Sequence, residues 1–214
     1  MSRRRISATF LVYTWAGLFT TTITAQDKRP PISTDRPGVF FSSDTVPWGT
    51  GQIETGAGYS YFRPEEGSAI SRQQQFSTPV LFRYGLFNNF ELRLSTQGVS
   101  ASYQDSPPSG TGFQEDNEWG FGYPSVGLKW QLTEPPESCS KPLLGILLML
   151  DLPVGSQSFR PPKNVFSTTL LVDFPLRGDF SLVLNAGASF PFDSGTKTRY
   201  TEGIGTIAFT GPLG

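Results

Sequence analysis

Residues 180–190 read FSLVLNAGASF, a stretch in which the side chains alternate in character from one position to the next. An extended chain would place one set on one face, namely Phe180, Leu182, Leu184, Ala186, Ala188 and Phe190. The opposite face would carry Ser181, Val183, Asn185, Gly187 and Ser189. A period of two residues indicates a β-strand. Because the stretch has the length of a bilayer-spanning strand, it predicts a transmembrane strand whose apolar face contacts lipid.

The same alternation recurs on both sides of this stretch. Six further segments show it, at residues 52–62, 75–84, 90–97, 125–132, 166–174 and, more weakly, 199–210, and residues 143–152 are an eighth candidate strand. Pro79 weakens the second of them, because proline cannot donate a ladder hydrogen bond. Residues 143–152 are apolar on both faces, which periodicity alone cannot separate from a buried helix. The prolines at 142 and 153 and the neighbouring strands favour a strand there.

The connections between these segments alternate between long and short. The long ones are polar, as in residues 63–72, 104–118 and 153–164, whereas residues 85–89 and 177–179 make tight turns. The asparagines at 88 and 89 suit left-handed conformations, and Gly178 can supply a positive φ. Outer-membrane barrels have short periplasmic turns and longer outer loops. The sequence therefore predicts an all-β fold, an antiparallel up-and-down transmembrane β-barrel of about eight strands with both chain ends in the periplasm.

Residues 1–25 have the pattern of a secretion signal, with three arginines at 3–5, an apolar stretch and a small residue at Ala25. The alternative is a membrane-anchoring helix, but hydroxyl side chains interrupt the apolar run, which is shorter than the ~20 residues a span requires. We expect a mature chain that starts at Gln26. Residues 26–50 form a proline-rich periplasmic lead-in, and residues 51–214 the barrel. The expected location is the outer membrane of a Gram-negative cell.

Composition restricts the functional classes. Without the three signal arginines, 14 basic residues face 18 acidic ones, a net charge of −4 that gives no reason to expect a nucleic-acid partner. Cys139 is the single cysteine, so neither an intramolecular disulfide nor a thiolate metal cluster can form. The chain has no histidine, the usual general base of barrel enzymes, so we expect neither catalysis nor a cofactor.

Aromatic residues lie near the ends of the apolar sets. The predicted periplasmic ends carry Phe82, Tyr84, Phe90, Trp130, Phe174 and Phe180. The predicted outer ends carry Tyr59, Tyr61, Phe76, Phe166 and Phe190. Two such girdles are typical of membrane barrels. In a soluble sandwich or lipocalin-like barrel the same aromatics would point inward. The charged and hydroxyl residues on the opposite face favour the membrane interpretation.

One group of charged residues falls on the polar face near the predicted periplasmic end. It consists of Glu54, Arg83, Glu91, Arg93, Lys129 and Asp173. Three are acidic and three basic, and in a narrow barrel such groups must pair, because burying a lone charge is costly. They form either a structural ion-pair plug or a selectivity ring that lines a pore.

Several short motifs, in order along the chain, resemble one known family. They are STDRP at 33–37, VPWG at 46–49 followed by QIE at 52–54, RYGL at 83–86 with ELRL at 91–94, SVGLK at 125–129 and LPVGS at 152–156. Taken together they resemble the outer-membrane proteins associated with the meta-pathway of phenol degradation, described as transporters. The resemblance implies a barrel that admits small hydrophobic or aromatic compounds. It carries over no binding residues.

Two functional classes stay open. The first is a passive channel for small hydrophobic or aromatic solutes, with outer-membrane lipid and the outer-membrane assembly machinery as partners. The second is a closed barrel with an anchoring or surface-display role, because eight-stranded barrels are filled by their own side chains. The last residues, 211–214, lack the terminal aromatic of barrels inserted by that machinery. The eight strands are therefore either the whole barrel or part of a larger one.

Overall fold

The computed structural model describes residue 35 and residues 40–63, 65–66, 69–70, 72–106, 114–134, 141–178 and 180–211. The predicted signal peptide at 1–25 and Cys139 lie outside the described residues. The described parts are almost entirely extended. Their one helix is a 3-10 turn at Gln157–Phe159, and they contain no helix long and apolar enough to cross a membrane.

Sixteen strands are formed by the described residues. They are β1 (Gly51–Thr55), β2 (Gly58–Phe62), β3 (Glu65–Glu66), β4 (Ala69–Ile70), β5 (Arg72–Ser77), β6 (Val80–Phe87), β7 (Phe90–Thr96), β8 (Val99–Ser106), β9 (Gln114–Phe121), β10 (Pro124–Gln131), β11 (Leu143–Asp151), β12 (Val165–Pro175), β13 (Ser181–Ser189), β14 (Phe192–Asp193), β15 (Thr198–Arg199) and β16 (Glu202–Thr210).

Eight strands form the main sheet, in the order β1-β6-β7-β10-β11-β12-β13-β16, with every neighbouring pair antiparallel. A second sheet has the order β2-β5-β8-β9. Its strands continue β1, β6, β7 and β10 across breaks of two residues each. Two of the breaks have local causes. Pro79 lacks the N–H that a ladder requires, and Gly98 has a φ of 65°.

The eight predicted strand segments correspond to the eight strands of the main sheet, so the all-β antiparallel fold is confirmed. The two-sided apolar segment, residues 143–152, forms strand β11 and not a helix. The sheet order ends at β1 on one side and at β16 on the other. Among the described residues, no hydrogen-bonded pairing joins these two strands into a barrel.

Two local predictions were wrong. Residues 104–118 were expected to form one long loop, but β8 and β9 extend into this stretch and pair with each other from Val99 to Ser106. The predicted turn at residues 85–89 is shorter, because β6 runs to Phe87 and only Asn88 and Asn89 join it to β7. Neither asparagine adopts a positive φ, whereas Gly178 does, at 74°.

The two faces of the main sheet differ in polarity and in exposure. One row of directly paired residues crosses five strands of the outer face: Phe82, Leu94, Val126, Leu150 and Phe166. Most of this row is exposed. The inner face is buried and carries, among others, Arg83, Glu91, Arg93, Lys129, Leu147, Thr169, Leu171 and Asn185. A sheet that buries its charges and exposes its apolar side chains inverts the pattern of a water-soluble domain.

Candidate functional site

All six charged residues predicted to share a site lie on the inner face, and all six are buried. Four of the strands that carry them, β1, β6, β7 and β10, are consecutive neighbours in the main sheet. The sheet register sets their depth. Arg83 pairs directly with Arg93 across β6 and β7, and Glu91 pairs with Lys129 across β7 and β10. These four residues thus occupy two adjacent rows of the sheet, and Glu54, which pairs with Leu81, lies in the next row.

Arg83 holds two carboxylates at once. Its Nε and Nη2 donate to the two oxygens of Glu91 at 2.8 and 2.7 Å, and its Nη1 donates to Glu54 Oε1 at 3.0 Å. The contact with Glu91 is bidentate, the geometry in which a guanidinium binds a carboxylate most strongly. Arg93 Nη1 donates to the same Glu91 at 3.1 Å. Glu91 therefore separates two arginines that face each other across the strands.

Asp35 lies at the centre of this cluster and was not among the predicted site residues. Its Oδ2 accepts hydrogen bonds from Arg93 Nη1 at 2.5 Å and from Lys129 Nζ at 2.7 Å. Arg83 Nη2 lies 3.7 Å from the same oxygen. Burial alone would raise the pKa of Asp35, but the charges of Lys129, Arg93 and Arg83 outweigh burial and hold the pKa well below its usual range. Asp35 is therefore ionised at neutral pH.

The chain that follows Asp35 lies against the inner face as well. We call residues 40–50 the N-terminal segment. Lys129 Nζ donates to the backbone carbonyls of Ser42 at 2.9 Å and Asp44 at 3.0 Å, and the backbone N–H of Val46 donates to Glu91 Oε2 at 2.9 Å. The strand charges thus bind backbone groups of this segment in addition to one another.

The sixth predicted residue, Asp173, stands apart from the other five. It lies on β12 and makes no ion pair within 4.0 Å in the described part of the chain. Instead Asp173 Oδ2 accepts from Ser42 Oγ at 3.0 Å and from the Ser43 backbone N–H at 2.7 Å. Asn185 on β13 exchanges two hydrogen bonds of 2.9 Å with the backbone of Phe41. Distant strands thus bind the same segment.

Two glycines on the inner face allow this close approach. A side chain at Gly85 would collide with the backbone carbonyls of Val46 and Pro47, and one at Gly145 would contact Ser43 at 3.5 Å. Glycine inside a strand often marks a place where another backbone comes near. Inward glycines in β6 and β11 were therefore a sequence signal for the docked segment, although they do not identify Asp35.

A cavity of about 750 Å³ lies at the opposite end of the inner face. Both sheets line it, and the 3-10 turn contributes Phe159. Its wall combines aromatic, hydroxyl, amide and acidic groups, among them Gln75, Ser100, Tyr123, Asp151 and Glu202. Asp151 accepts a hydrogen bond of 2.6 Å from Ser125 Oγ. We call this space the outer cavity, because the long connections lie at this end.

Within the described ranges the acidic side chains do not gather into a metal-binding group. No group of three or more His, Cys, Asp or Glu side chains there is placed to hold a metal ion. The acidic residues of the charge cluster are engaged by arginine, lysine or backbone N–H donors. Chemically, this arrangement neutralises charge and holds the N-terminal segment in place.

Comparison with known proteins gives one positive result. The family model described as "Putative MetA-pathway of phenol degradation" matches residues 34–208. No match was found among curated proteins or among solved structures. The family match covers most of the chain, and it includes Asp35, the N-terminal segment, every strand of the charge cluster and the outer cavity. The chain therefore belongs to the family described as the MetA-pathway of phenol degradation.

Proposed function

We propose that the chain is an outer-membrane β-barrel that passively admits small hydrophobic or aromatic compounds through its outer cavity. The observation that carries the proposal is the inverted polarity of the main sheet. Charged groups are buried on the inner face, whereas Leu94, Leu128 and Ile207 are exposed on the outer face. In water this exposure costs free energy, about 25 cal/mol for each Å² of apolar surface. Lipid removes that cost.

Strand dimensions support the same environment. The four strands from β11 to β13 and β16 are 9 to 11 residues long, which is the length that a tilted strand needs to cross the bilayer core. The shorter strands β1, β6, β7 and β10 continue into the second sheet. One side of the proposed barrel therefore extends farther beyond the membrane than the other.

Aromatic pairs lie at both ends of the outer face. Phe90 stacks on Trp130 with ring centroids 5.3 Å apart, and Phe180 stacks on Phe209 at 5.2 Å, near the short turns. At the other end the rings of Phe166 and Phe190 are stacked at 6.2 Å. Aromatic residues in these positions are typical of the two membrane interfaces.

The outer cavity has the size and lining expected of a small-molecule site. Its volume of about 750 Å³ lies within the usual range for ligand pockets, roughly 300 to 1,000 Å³. Tyr123 and Phe159 offer apolar ring surfaces, and several hydroxyl and amide groups can fix a polar substituent. The family name, which refers to phenol degradation, agrees with an aromatic solute. The proposed role is passive and includes no catalytic step.

Export and insertion complete this proposal. Residues 1–25 would act as a cleaved signal peptide, and the outer-membrane assembly machinery would insert the strands. The barrel would close either by pairing of β1 with β16 or through additional strands. In both arrangements the outer face contacts lipid, so the proposed location does not depend on the final strand number.

The second candidate function is a closed barrel that anchors or displays loops without conducting. One specific observation favours it: the N-terminal segment and the charge cluster fill the inner face at the end opposite to the outer cavity. Arg83, Glu91 and Lys129 are no more than 1% exposed. A solute in the outer cavity would reach the periplasm only if this packing opens or leaves a path beside it.

Uptake of an aromatic compound separates the two candidates. Toluene entry is compared between cells that express the unchanged protein, the Gln75→Trp variant and the Gln74→Trp variant. Gln75 lines the outer cavity, whereas Gln74 lies on the opposite side of β5, where it is half-buried and accepts a hydrogen bond from Tyr59 Oη. We expect the ring at 75 to slow uptake and the same ring at 74 to leave it unchanged. Equal uptake with and without the protein would instead favour the closed barrel.

A further inference from the structure

Three buried cations converge on a carboxylate that comes from outside the sheet. Arg83, Arg93 and Lys129 lie on β6, β7 and β10, and each is no more than 1% exposed. All three approach a single atom, Asp35 Oδ2, at distances of 3.7, 2.5 and 2.7 Å. The other oxygen, Oδ1, accepts the Ser42 backbone N–H at 3.0 Å. Both oxygens of the Asp35 carboxylate thus face hydrogen-bond donors.

The charge balance shows what the strands alone lack. Within the directly contacting set they supply three cations, Arg83, Arg93 and Lys129, but only two carboxylates, Glu54 and Glu91. One positive charge is left over. An uncompensated charge in a buried position is costly, so the site requires one additional anion. Asp35 supplies that anion in this structure.

The donor geometry specifies the kind of anion. The site binds one oxygen through ammonium and guanidinium groups, and the second oxygen through a backbone N–H. Arg93 Nε, also buried, has no hydrogen-bond partner among the described residues. The cations thus gather on Oδ2 while a backbone N–H binds Oδ1. A monocarboxylate offers two such oxygens with a single charge, which a spherical anion does not.

We propose that Arg83, Arg93 and Lys129 form a carboxylate-binding site whose resident ligand is the chain's own Asp35, and that a free small monocarboxylate can occupy it when Asp35 is absent. The N–H of Asp35 also donates to Glu54 Oε1 at 3.3 Å, which ties the backbone to the same site. Occupation by a free carboxylate restores the charge balance without tethering the chain.

The tether gives Asp35 an advantage over a free competitor. Ligands linked to their site act at an effective concentration that reaches the millimolar range for flexible linkers, and several further contacts hold the N-terminal segment in place. Free acetate therefore competes poorly against the intact chain. Removal of the Asp35 carboxylate removes the competitor and leaves three cations with only two carboxylates, Glu54 and Glu91, so one positive charge is no longer compensated.

The test is chemical rescue of Asp35→Ala with acetate. The full chain is folded in detergent micelles, and its thermal transition is followed in sodium acetate, in acetamide, and in sodium chloride of the same ionic strength. We expect the variant to melt well below the wild type and acetate to raise its melting temperature. Rescue should need an acetate concentration roughly tenfold or more below any that affects the wild type. Acetamide and chloride should have no comparable effect.

Asp44→Ala is the matched control. Asp44 belongs to the N-terminal segment, but it contacts Arg83 and Lys129 through its backbone carbonyl, which the substitution keeps. Acetate should not rescue it. If Asp35→Ala does not fold, the yield of folded protein in acetate and in acetamide replaces the melting temperature. Equal effects of acetate and acetamide, of acetate and chloride, or on both variants would overturn the proposal. None of these results depends on solute uptake, so the proposed function is tested separately.

Discussion

The two ends of the inner face are built from similar strands but filled in opposite ways. At one end Arg83, Glu91 and Lys129 are fully packed by one another and by the N-terminal segment. At the other end the outer cavity leaves about 750 Å³ between hydroxyl, amide and aromatic side chains. This difference between the two ends shows that a polar inner face is not sufficient to leave space for a solute. The end with the charge cluster is closed because its charges bind each other and the N-terminal segment, whereas the outer cavity, whose charged side chains stand among hydroxyl, amide and aromatic groups, stays hollow.

The largest effect should follow from breaking the closed end. Arg83→Ala would leave Glu91 and Glu54 without their main partner, and removal of one member of a buried ion pair costs about 3 to 5 kcal/mol. Denaturant-induced unfolding in detergent micelles measures this loss. Gln75→Ala, in the wall of the outer cavity, should change the free energy of unfolding by no more than roughly 0.5 kcal/mol. Similar losses in the two variants would mean that both ends are packed alike.

A somewhat smaller effect is expected when a charged side chain is placed on the apolar outer face of the main sheet. Leu128 precedes buried Lys129 on β10 and is exposed on the opposite face. Leu128→Arg should lower the free energy of unfolding by about 2 to 4 kcal/mol if the position lies near the bilayer midplane. Refolding into lipid vesicles followed by denaturant titration measures the change. Leu128→Ser serves as a control for loss of the side chain, and an unaffected Leu128→Arg variant would contradict lipid contact at this face.

Most strands of the main sheet could be predicted because one of their sides is polar and the other apolar, whereas β11 is apolar on both sides and was predicted from its flanking prolines and neighbouring strands. The register confirms this, as in the apolar row from Phe82 to Phe166. The extension of β8 and β9 could not, because residues 116–119 are exposed on both sides. A strand without a buried face has no alternation and has the composition of a loop.

Five of the six predicted charged residues do contact one another or a shared partner, and strand alternation was sufficient to place them on one face. Asp35 could not be found in this way. Its contacts reach 58 residues to Arg93 and 94 residues to Lys129, and no local pattern links such positions. The separation of Asp173 also depends on long-range geometry, since its partners Ser42 and Ser43 belong to the N-terminal segment.

A third substitution tests the contact between the N-terminal segment and strand β6 of the main sheet. Gly85→Ala would place a methyl group against the carbonyls of Val46 and Pro47, and overpacking of this kind costs about 1 to 3 kcal/mol. Gly205→Ala on β16 is the matched control, because nothing lies within 4 Å of its added carbon. Limited proteolysis should cut the N-terminal segment faster in Gly85→Ala than in Gly205→Ala. Equal cleavage rates would argue against a docked segment.

The smallest effect is expected from pH: near neutrality, the contribution of Asp35 to the free energy of unfolding should not change with pH. The pKa of Asp35 lies below its ordinary value of 3.8, because its three cationic neighbours outweigh burial. A lowered pKa stabilises the folded state at every pH above the unfolded value, and this stabilisation is lost only as the pH falls below it. The difference in unfolding free energy between wild type and Asp35→Asn should therefore stay constant from pH 7 to about 4 and shrink in stronger acid. A difference that already shrinks near pH 6 would mean that Asp35 is not paired with the cations.

The order of events during folding follows from where the N-terminal segment binds. Phe41 and Ser42 contact Asn185 and Asp173, which are 144 and 131 positions later in the chain. Contacts of such large sequence separation close long loops, and they form late because the entropy of closure must be met first. The segment that is synthesised before the strands must therefore wait until β12 and β13 have paired. We expect two kinetic phases. The main sheet forms first, and the N-terminal segment then docks and buries the charged side chains of the sheet that are still exposed.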